Sequence, residues 1–292
     1  MTNGLLLVES IRAFAGKLAQ SPIWVFTPEP TNPLSTSVKK RFQTLNVSLF
    51  PFRINRGVLQ FFFAGVVHAA ALAEKRAEKR AALLAFLNPN TLVLQEPSEF
   101  LLPSGKSLGF RPVHHTLIGS RFDEPLDPFW TQVYNSCGVS EGGIFPMITH
   151  VDAVKIRPYF NAGFIITRPE KGIFEAWRDT FFRTYQNPSF KELYQQDELY
   201  KIFIHQAILS GVILQLLPRS ELYELPHSYN YPLHLYEEDV SGKRPSALED
   251  VVTLRHEGFY KDPEWSENIP VGDSLKQWII NKLESISQIL IS

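Results

Sequence analysis

Apolar residues at Leu7, Val8, Ile11, Phe14, Ala15, Leu18 and Ala19 recur at three- and four-residue intervals, which puts them on one face of an opening helix. Ser21-Pro22 ends it, because proline has no N–H to give and its ring crowds the preceding turn. Ile23-Trp24-Val25-Phe26 is a continuous apolar run near prolines, the pattern of a strand covered on both faces, for which a parallel sheet is the expected home. A helix over 34–45 and a strand over 47–52 complete a strand, helix, strand unit. A third helix, over 62–82, carries Glu74-Lys75-Arg76 and Glu78-Lys79-Arg80 beside a row of alanines, and the charges read as a solvated face.

The run 83–87 has the length and flanks of a central strand and stops at Asn88-Pro89-Asn90. Open α/β sheets bind ligands beyond the carboxyl ends of their strands, so chemistry is expected over 88–96. Residues 98–150 mix prolines, glycines and aromatics with short apolar runs and read as irregular structure around one or two strands. A buried strand is expected at 160–167, with helices over 172–185 and 199–209, the latter stopped by Gly211. Strands at 212–217 and 251–254 and a terminal helix over 275–291 complete an α/β chain, expected as one domain over 1–292.

The 292 residues are 44% hydrophobic and 20% charged, which excludes wholesale disorder. A formal charge of -1, without a basic stripe, leaves no source for the counterion release that drives nucleic-acid binding. Cys137 is the sole cysteine and cannot form an intramolecular disulfide, so a reducing cytoplasm is the expected location. Leu5-Leu6-Leu7-Val8 is too short for a signal-peptide core, and no apolar stretch is read as reaching the ~20 residues a bilayer requires.

Four segments, in order, resemble the nucleotide-diphospho-sugar transferases of the GT-A type, and their arrangement is most similar to glycosyltransferase family 8. Leu83 to Leu94 is similar to the family's apolar strand, Asp-x-Asp and second apolar run, with Asn88 and Asn90 at the aspartate positions. Tyr159-Phe160-Asn161-Ala162-Gly163-Phe164 resembles the Asn-x-Gly strand start, where the family's glycine lets a bound sugar approach the backbone. His205-Gln206-Ala207-Ile208-Leu209 resembles the Asp-Gln-x-x-Leu element, with a histidine in place of the acid. His256-Glu257-Gly258-Phe259-Tyr260-Lys261-Asp262-Pro263-Glu264-Trp265 is similar to His-x-x-Gly-x-x-Lys-Pro-Trp, with the Gly-x-x-Lys spacing kept and the spacing after the histidine shortened by one.

The resemblance implies a Rossmann-like GT-A fold, an open mixed sheet flanked by helices, spanning roughly residues 5 to 265. The family's opening strand has no counterpart: it has either been lost or lies upstream of this sequence. The implied reaction transfers a sugar from a nucleotide-diphosphate donor to an unidentified acceptor. Family members stabilise the leaving diphosphate with a divalent cation, and Mn²⁺ or Mg²⁺ asks for hard anionic oxygens. Asn88 and Asn90 offer neutral amide oxygens, so no metal ligands are assigned and metal dependence is expected to be weak or absent. His205 and Gln206 are the implied catalytic pair, and Asn88, Asn90, Asn161, Gly163, His256, Gly258 and Lys261 the implied nucleotide-sugar contacts.

Plainer readings stand beside these. Asn-Pro-Asn favours a turn for backbone reasons alone, His205 lies in an apolar helix where a core role is common, and Lys261 fits a solvated loop. Phe129, Trp130, Tyr159 and Tyr231 could stack on sugar rings or fill the core. The runner-up function is a catalytically inactive member that binds a sugar, nucleotide or protein.

Overall fold

The computed structural model describes residues 2–29, 34–55, 57–59 and 61–291. Its helices are α1 (Thr2–Phe14), α2 (Thr36–Thr44), α3 (Ala64–Ala77), α4 (Pro128–Cys137), α5 (Ile173–Thr184), α6 (Pro188–Gln196), α7 (Glu198–Leu216), α8 (Trp265–Asn268) and α9 (Asp273–Ile291). The strands are β1 (Ile23–Glu29), β2 (Val47–Arg53), β3 (Leu84–Leu87), β4 (Thr91–Val93), β5 (Leu108–Pro112), β6 (Met147–Ile148), β7 (Lys155–Ile156), β8 (Phe160–Thr167), β9 (Leu222–Glu224), β10 (Tyr231–Pro232) and β11 (Thr253–Arg255). Within the expected span of 1–292 they gather into two compact units. The first holds Met1–Pro51, Leu87–Ser98 and Pro226–Ser292, the second Phe52–Phe86 and Glu99–Leu225.

In the first unit Leu5, Leu6 and Val8 of α1 share a core with Val38 and Phe42 of α2, Leu92 of β4, Leu254 of β11 and Ile279 of α9. Polar groups fix how α1 sits. The Ser10 hydroxyl donates to the Leu7 carbonyl at 2.7 Å and accepts from the Val93 N–H at 3.0 Å. Buried Glu9 meets Arg41 of α2 and, at 3.0 Å, Lys282 of α9, so its charge is paired on both sides. Three strands form a mixed sheet in the order β10-β11-β4, parallel between β10 and β11 and antiparallel between β11 and β4. β1 pairs with β2 in a two-stranded sheet and is half-buried over most of its length. Its continuous apolar run therefore belongs to a ribbon, a correction to the strand covered on both faces.

The second unit is built on a mixed sheet ordered β3-β8-β5-β9, with β5 antiparallel to β8 and parallel to β9. β8 is buried at every position, so it is the covered interior strand, whereas β3, expected to be central, lies at the edge. α7 runs straight through Gly211 to Leu216, correcting both the stop at Gly211 and the strand over 212–217. A Cβ at Gly211 would lie 2.5 Å from the Cys137 Sγ, so the glycine serves the close approach of α7 to α4. By length and composition α7 could cross a membrane, contrary to the expectation that no segment qualifies, but Ile204 through Leu214, apart from Gln206, are buried in this unit.

α4, α6 and the four-residue α8 stand where no helix was expected, and the two longer ones follow local capping rules. Asp127 caps α4 by accepting from the Trp130 N–H at 2.9 Å, Pro128 occupies its first turn, and Gly138 closes it at φ +68°. Asn187 and Pro188 open α6 in the same way. Glu74, placed by its sequence neighbours on a solvated face, is 1% exposed and accepts from the Glu175 N–H at 2.8 Å. It caps α5, whose preceding residue Gly172 has no side chain to do so.

Candidate functional site

The Asn88-Pro89-Asn90 turn forms because β3 ends at Leu87 and β4 begins at Thr91, whose N–H donates to the Asn88 carbonyl at 3.0 Å. β11 runs antiparallel to β4 with Arg255 opposite Thr91, and this register brings the last motif to the turn. The His256 N–H donates to the Asn90 carbonyl at 2.9 Å, and the Asn90 Nδ2 donates to the Glu257 Oε1 at 3.2 Å. Two segments far apart in sequence thus meet through both backbone and side chain, in the first unit.

Just beyond, Gly258 adopts φ +86°, in the left-handed region that glycine tolerates. Its N–H donates to the His256 Nδ1 at 3.1 Å, and a Cβ there would come 3.1 Å from the Lys261 Cε. Lys261 folds against this glycine, is exposed, and its ammonium has no protein partner among the described residues. A cavity of about 350 Å³ opens here, lined by Leu233, His234, Glu257, Gly258, Phe259 and Lys261 among others.

His256 itself is fully buried, and burial pulls its pKa down to about 4, so the ring is neutral near pH 7. Since Nδ1 accepts an N–H, the ring proton is assigned to Nε2. That Nε2 is buried without a hydrogen-bond partner. An N–H donor seeks an anionic or carbonyl oxygen; it has no lone pair to give a metal.

The second set lies in the other unit, where the β5–β8 ladder loses register between Phe110 and Pro112. Side chains serve the backbone donors of this irregular stretch. Gln206 on α7 accepts the Ala162 N–H at 2.9 Å, Asn161 accepts the Gly163 N–H at 3.1 Å, and Ser210 accepts the Phe160 N–H at 3.0 Å. The remaining amide of Asn161 lies 3.3 Å from the His114 Nε2. Asn161, Gly163 and Gln206 are therefore brought together, with His114 as a neighbour.

His205 precedes Gln206 but turns inward. It is 6% exposed, stacks on Phe63 with centroids 4.2 Å apart, and its Nδ1 lies 3.0 Å from the Ile202 carbonyl. Burial lowers its pKa to about 3, so it is neutral at any ordinary pH. These are the surroundings of a core histidine. Phe129, Trp130, Tyr159 and Tyr231 are likewise buried and pack in the cores. Burial pushes the Cys137 thiol up to about 12, which leaves it protonated and unreactive.

The donor set does not suit a hard divalent cation. Asn88 and Asn90 are neutral, the Asn90 amide presents its N–H toward Glu257, and the His256 tautomer leaves a proton and not a lone pair on Nε2. Among the described residues no group of three or more His, Cys, Asp or Glu side chains is arranged to hold a metal ion. Sequence reading also passed over Arg255 and Glu257, although residues i and i+2 flanking His256 share one side of an extended chain.

The model of the Rhodobacterales glycosyltransferase domain family matches residues 1–216, so the His256 to Lys261 segment lies beyond the matched part. No curated protein matches the sequence. Among solved structures, the galactosyltransferase LgtC in complex with donor and acceptor sugar analogs is 14% identical with a TM-score of 0.50, covering 94% of this chain and 95% of that one. An active-site mutant of LgtC gives the same values, 14% identity and a TM-score of 0.50 over 94% and 95% of the two chains. Mouse xyloside xylosyltransferase 1 is 11% identical with a TM-score of 0.44, over 88% of this chain and 91% of that one. The LgtC likeness is one of fold: helices around mixed sheets, as in GT-A glycosyltransferases.

Proposed function

Because the chain belongs to the Rhodobacterales glycosyltransferase domain family, we propose that it moves a sugar from a nucleotide-diphosphate donor to an acceptor hydroxyl, holding the diphosphate with protein N–H groups and not with a tightly bound cation. The carrying observation is the meeting of the Asn88-Pro89-Asn90 turn with the His256 to Lys261 segment, where the turn itself offers neutral amides and the carboxylate of Glu257 is engaged by Asn90. LgtC is known with donor and acceptor sugar analogs, and the same two-substrate scheme is proposed for this chain.

A departing diphosphate gains negative charge as the anomeric bond breaks, and preorganised donors stabilise it most effectively where water is excluded. Lys261 supplies a full positive charge, the Gly258 turn lets backbone approach closely, and the buried His256 Nε2–H supplies a donor still lacking its acceptor. In the second unit, Asn161 and Gln206 hold the start of β8 in shape, and we assign His205 to packing beside Phe63.

The test is thermal stability of the full chain with UDP-, GDP-, CDP-, ADP- and dTDP-sugars, each with EDTA or with Mn²⁺. A ligand that binds only the folded state raises the melting temperature. At least one donor should do so equally in EDTA and Mn²⁺, and Lys261→Ala should weaken the shift. No shift from any donor sinks the transferase reading, and a shift confined to Mn²⁺ sinks its metal-free form.

A further inference from the structure

Arg255 is the last residue of β11, opposite Thr91, and its side chain is 18% exposed. Its Nε and Nη2 donate to the Glu257 Oε1 at 3.2 and 3.0 Å, the same oxygen that accepts the Asn90 Nδ2 at 3.2 Å. One carboxylate oxygen thus ties the guanidinium to the Asn88-Pro89-Asn90 turn. Glu257 lines the cavity beside Gly258 and Lys261, so Arg255 is tied to a residue of the cavity wall.

Guanidinium carries five N–H donors in a planar fork, and two are taken here. The others have no protein acceptor among the described residues. The neighbouring His256 Nε2–H is also a donor without a partner, and the Lys261 ammonium is a third. Arg255 and His256 adjoin the neutral turn and Lys261 lines the cavity beside Gly258; of the two carboxylates in that lining, Glu257 is engaged by Arg255 and Asn90, and Asp262 accepts the Glu264 N–H. A half-buried arginine paired with an exposed glutamate keeps a full positive charge whose remaining donors face no protein acceptor among the described residues.

We infer that Arg255, oriented by Glu257, takes the place of a divalent cation by pairing directly with the diphosphate of the donor. The inference rests on the transferase reading and adds to it a binding residue and a positioning residue. The arginine fork matches two phosphate oxygens at once, whereas a lysine offers a point charge. Glu257 orients Arg255 and does not itself touch the anion.

The experiment is calorimetric titration of the full chain in EDTA with inorganic pyrophosphate and, separately, with the donors of the nucleotide-sugar panel. Arg255→Gln should weaken pyrophosphate binding about tenfold or more, Arg255→Lys by less, and Glu257→Gln by less again, the size a charge-assisted pair accounts for. Melting temperatures close to wild type show that the variants fold, and Arg255→Lys carries the test if Arg255→Gln does not. Wild-type affinity in Arg255→Gln, or a wild type that takes up no pyrophosphate in EDTA, overturns the inference. The two proposals fail differently. Pyrophosphate binding that depends on Arg255 without binding of any nucleotide sugar removes the transferase reading and keeps the anion site; a donor bound equally by wild type and Arg255→Gln does the reverse.

Discussion

His205 and His256 occupy similar sequence contexts, a histidine beside an apolar run, and the structure separates them by what each ring nitrogen meets. His205 is stacked against Phe63 with Nδ1 at a backbone carbonyl, while His256 accepts through Nδ1 and keeps a buried Nε2–H unmet. Neither arrangement was legible in the sequence, because ring orientation depends on residues from other elements. The low folded-state pKa of His205, about 3 against 6.5 when unfolded, favours folding above pH 6.5. That contribution is lost as pH falls from 6.5 toward about 3, by ~1.4 kcal/mol for each pH unit crossed. In acid unfolding curves, His205→Leu should lose part of the steepness in that window, His256 and the lowered carboxyls of Asp152 and Asp239 being among the groups that supply the rest. Glu74 acts in the opposite direction. Burial raises its carboxyl to about 7 from 4.5, so the stabilisation it gives is complete below pH 4.5 and fades as pH rises through 7. Glu74→Gln, which can still cap α5, should melt higher than wild type at pH 8.5 and much the same at pH 4.5.

Elements with strong local signals were readable, and those set by tertiary packing were not. β2, β8, α5 and α9 fall close to where the apolar pattern put them, whereas the opening helix, expected to run to Ser21-Pro22, ends at Phe14. α4 was missed although Asp127-Pro128 and Gly138 mark its ends, because its ten residues are rich in aromatics that also suit loops and strands. α7 was cut short because Gly211 resembles a terminator, and only the neighbouring Cys137 explains it. Gly211→Ala should therefore destabilise by about 1–3 kcal/mol in urea unfolding, the usual cost of overpacking, and Cys137→Ala in the same chain should recover part of it. Full tolerance of alanine at 211 would mean that α4 and α7 are less closely apposed than described.

Across the whole molecule, the motif order identified a glycosyltransferase before any geometry was known, and the fold and the family match agree with it. The pairing of the turn at Asn88 with the segment at His256 was implied by that order, but the Arg255–Glu257 tie was not, because it depends on the β4–β11 register. Sugar transfer without a tightly held metal is tested by the slow hydrolysis of the best-binding nucleotide sugar, in which water takes the sugar in place of the acceptor hydroxyl and nucleoside diphosphate is released, followed in EDTA and again in Mn²⁺. Release at the same rate in both, lost in Lys261→Ala, is the expected result; release only in Mn²⁺, or none from any nucleotide sugar, refutes it.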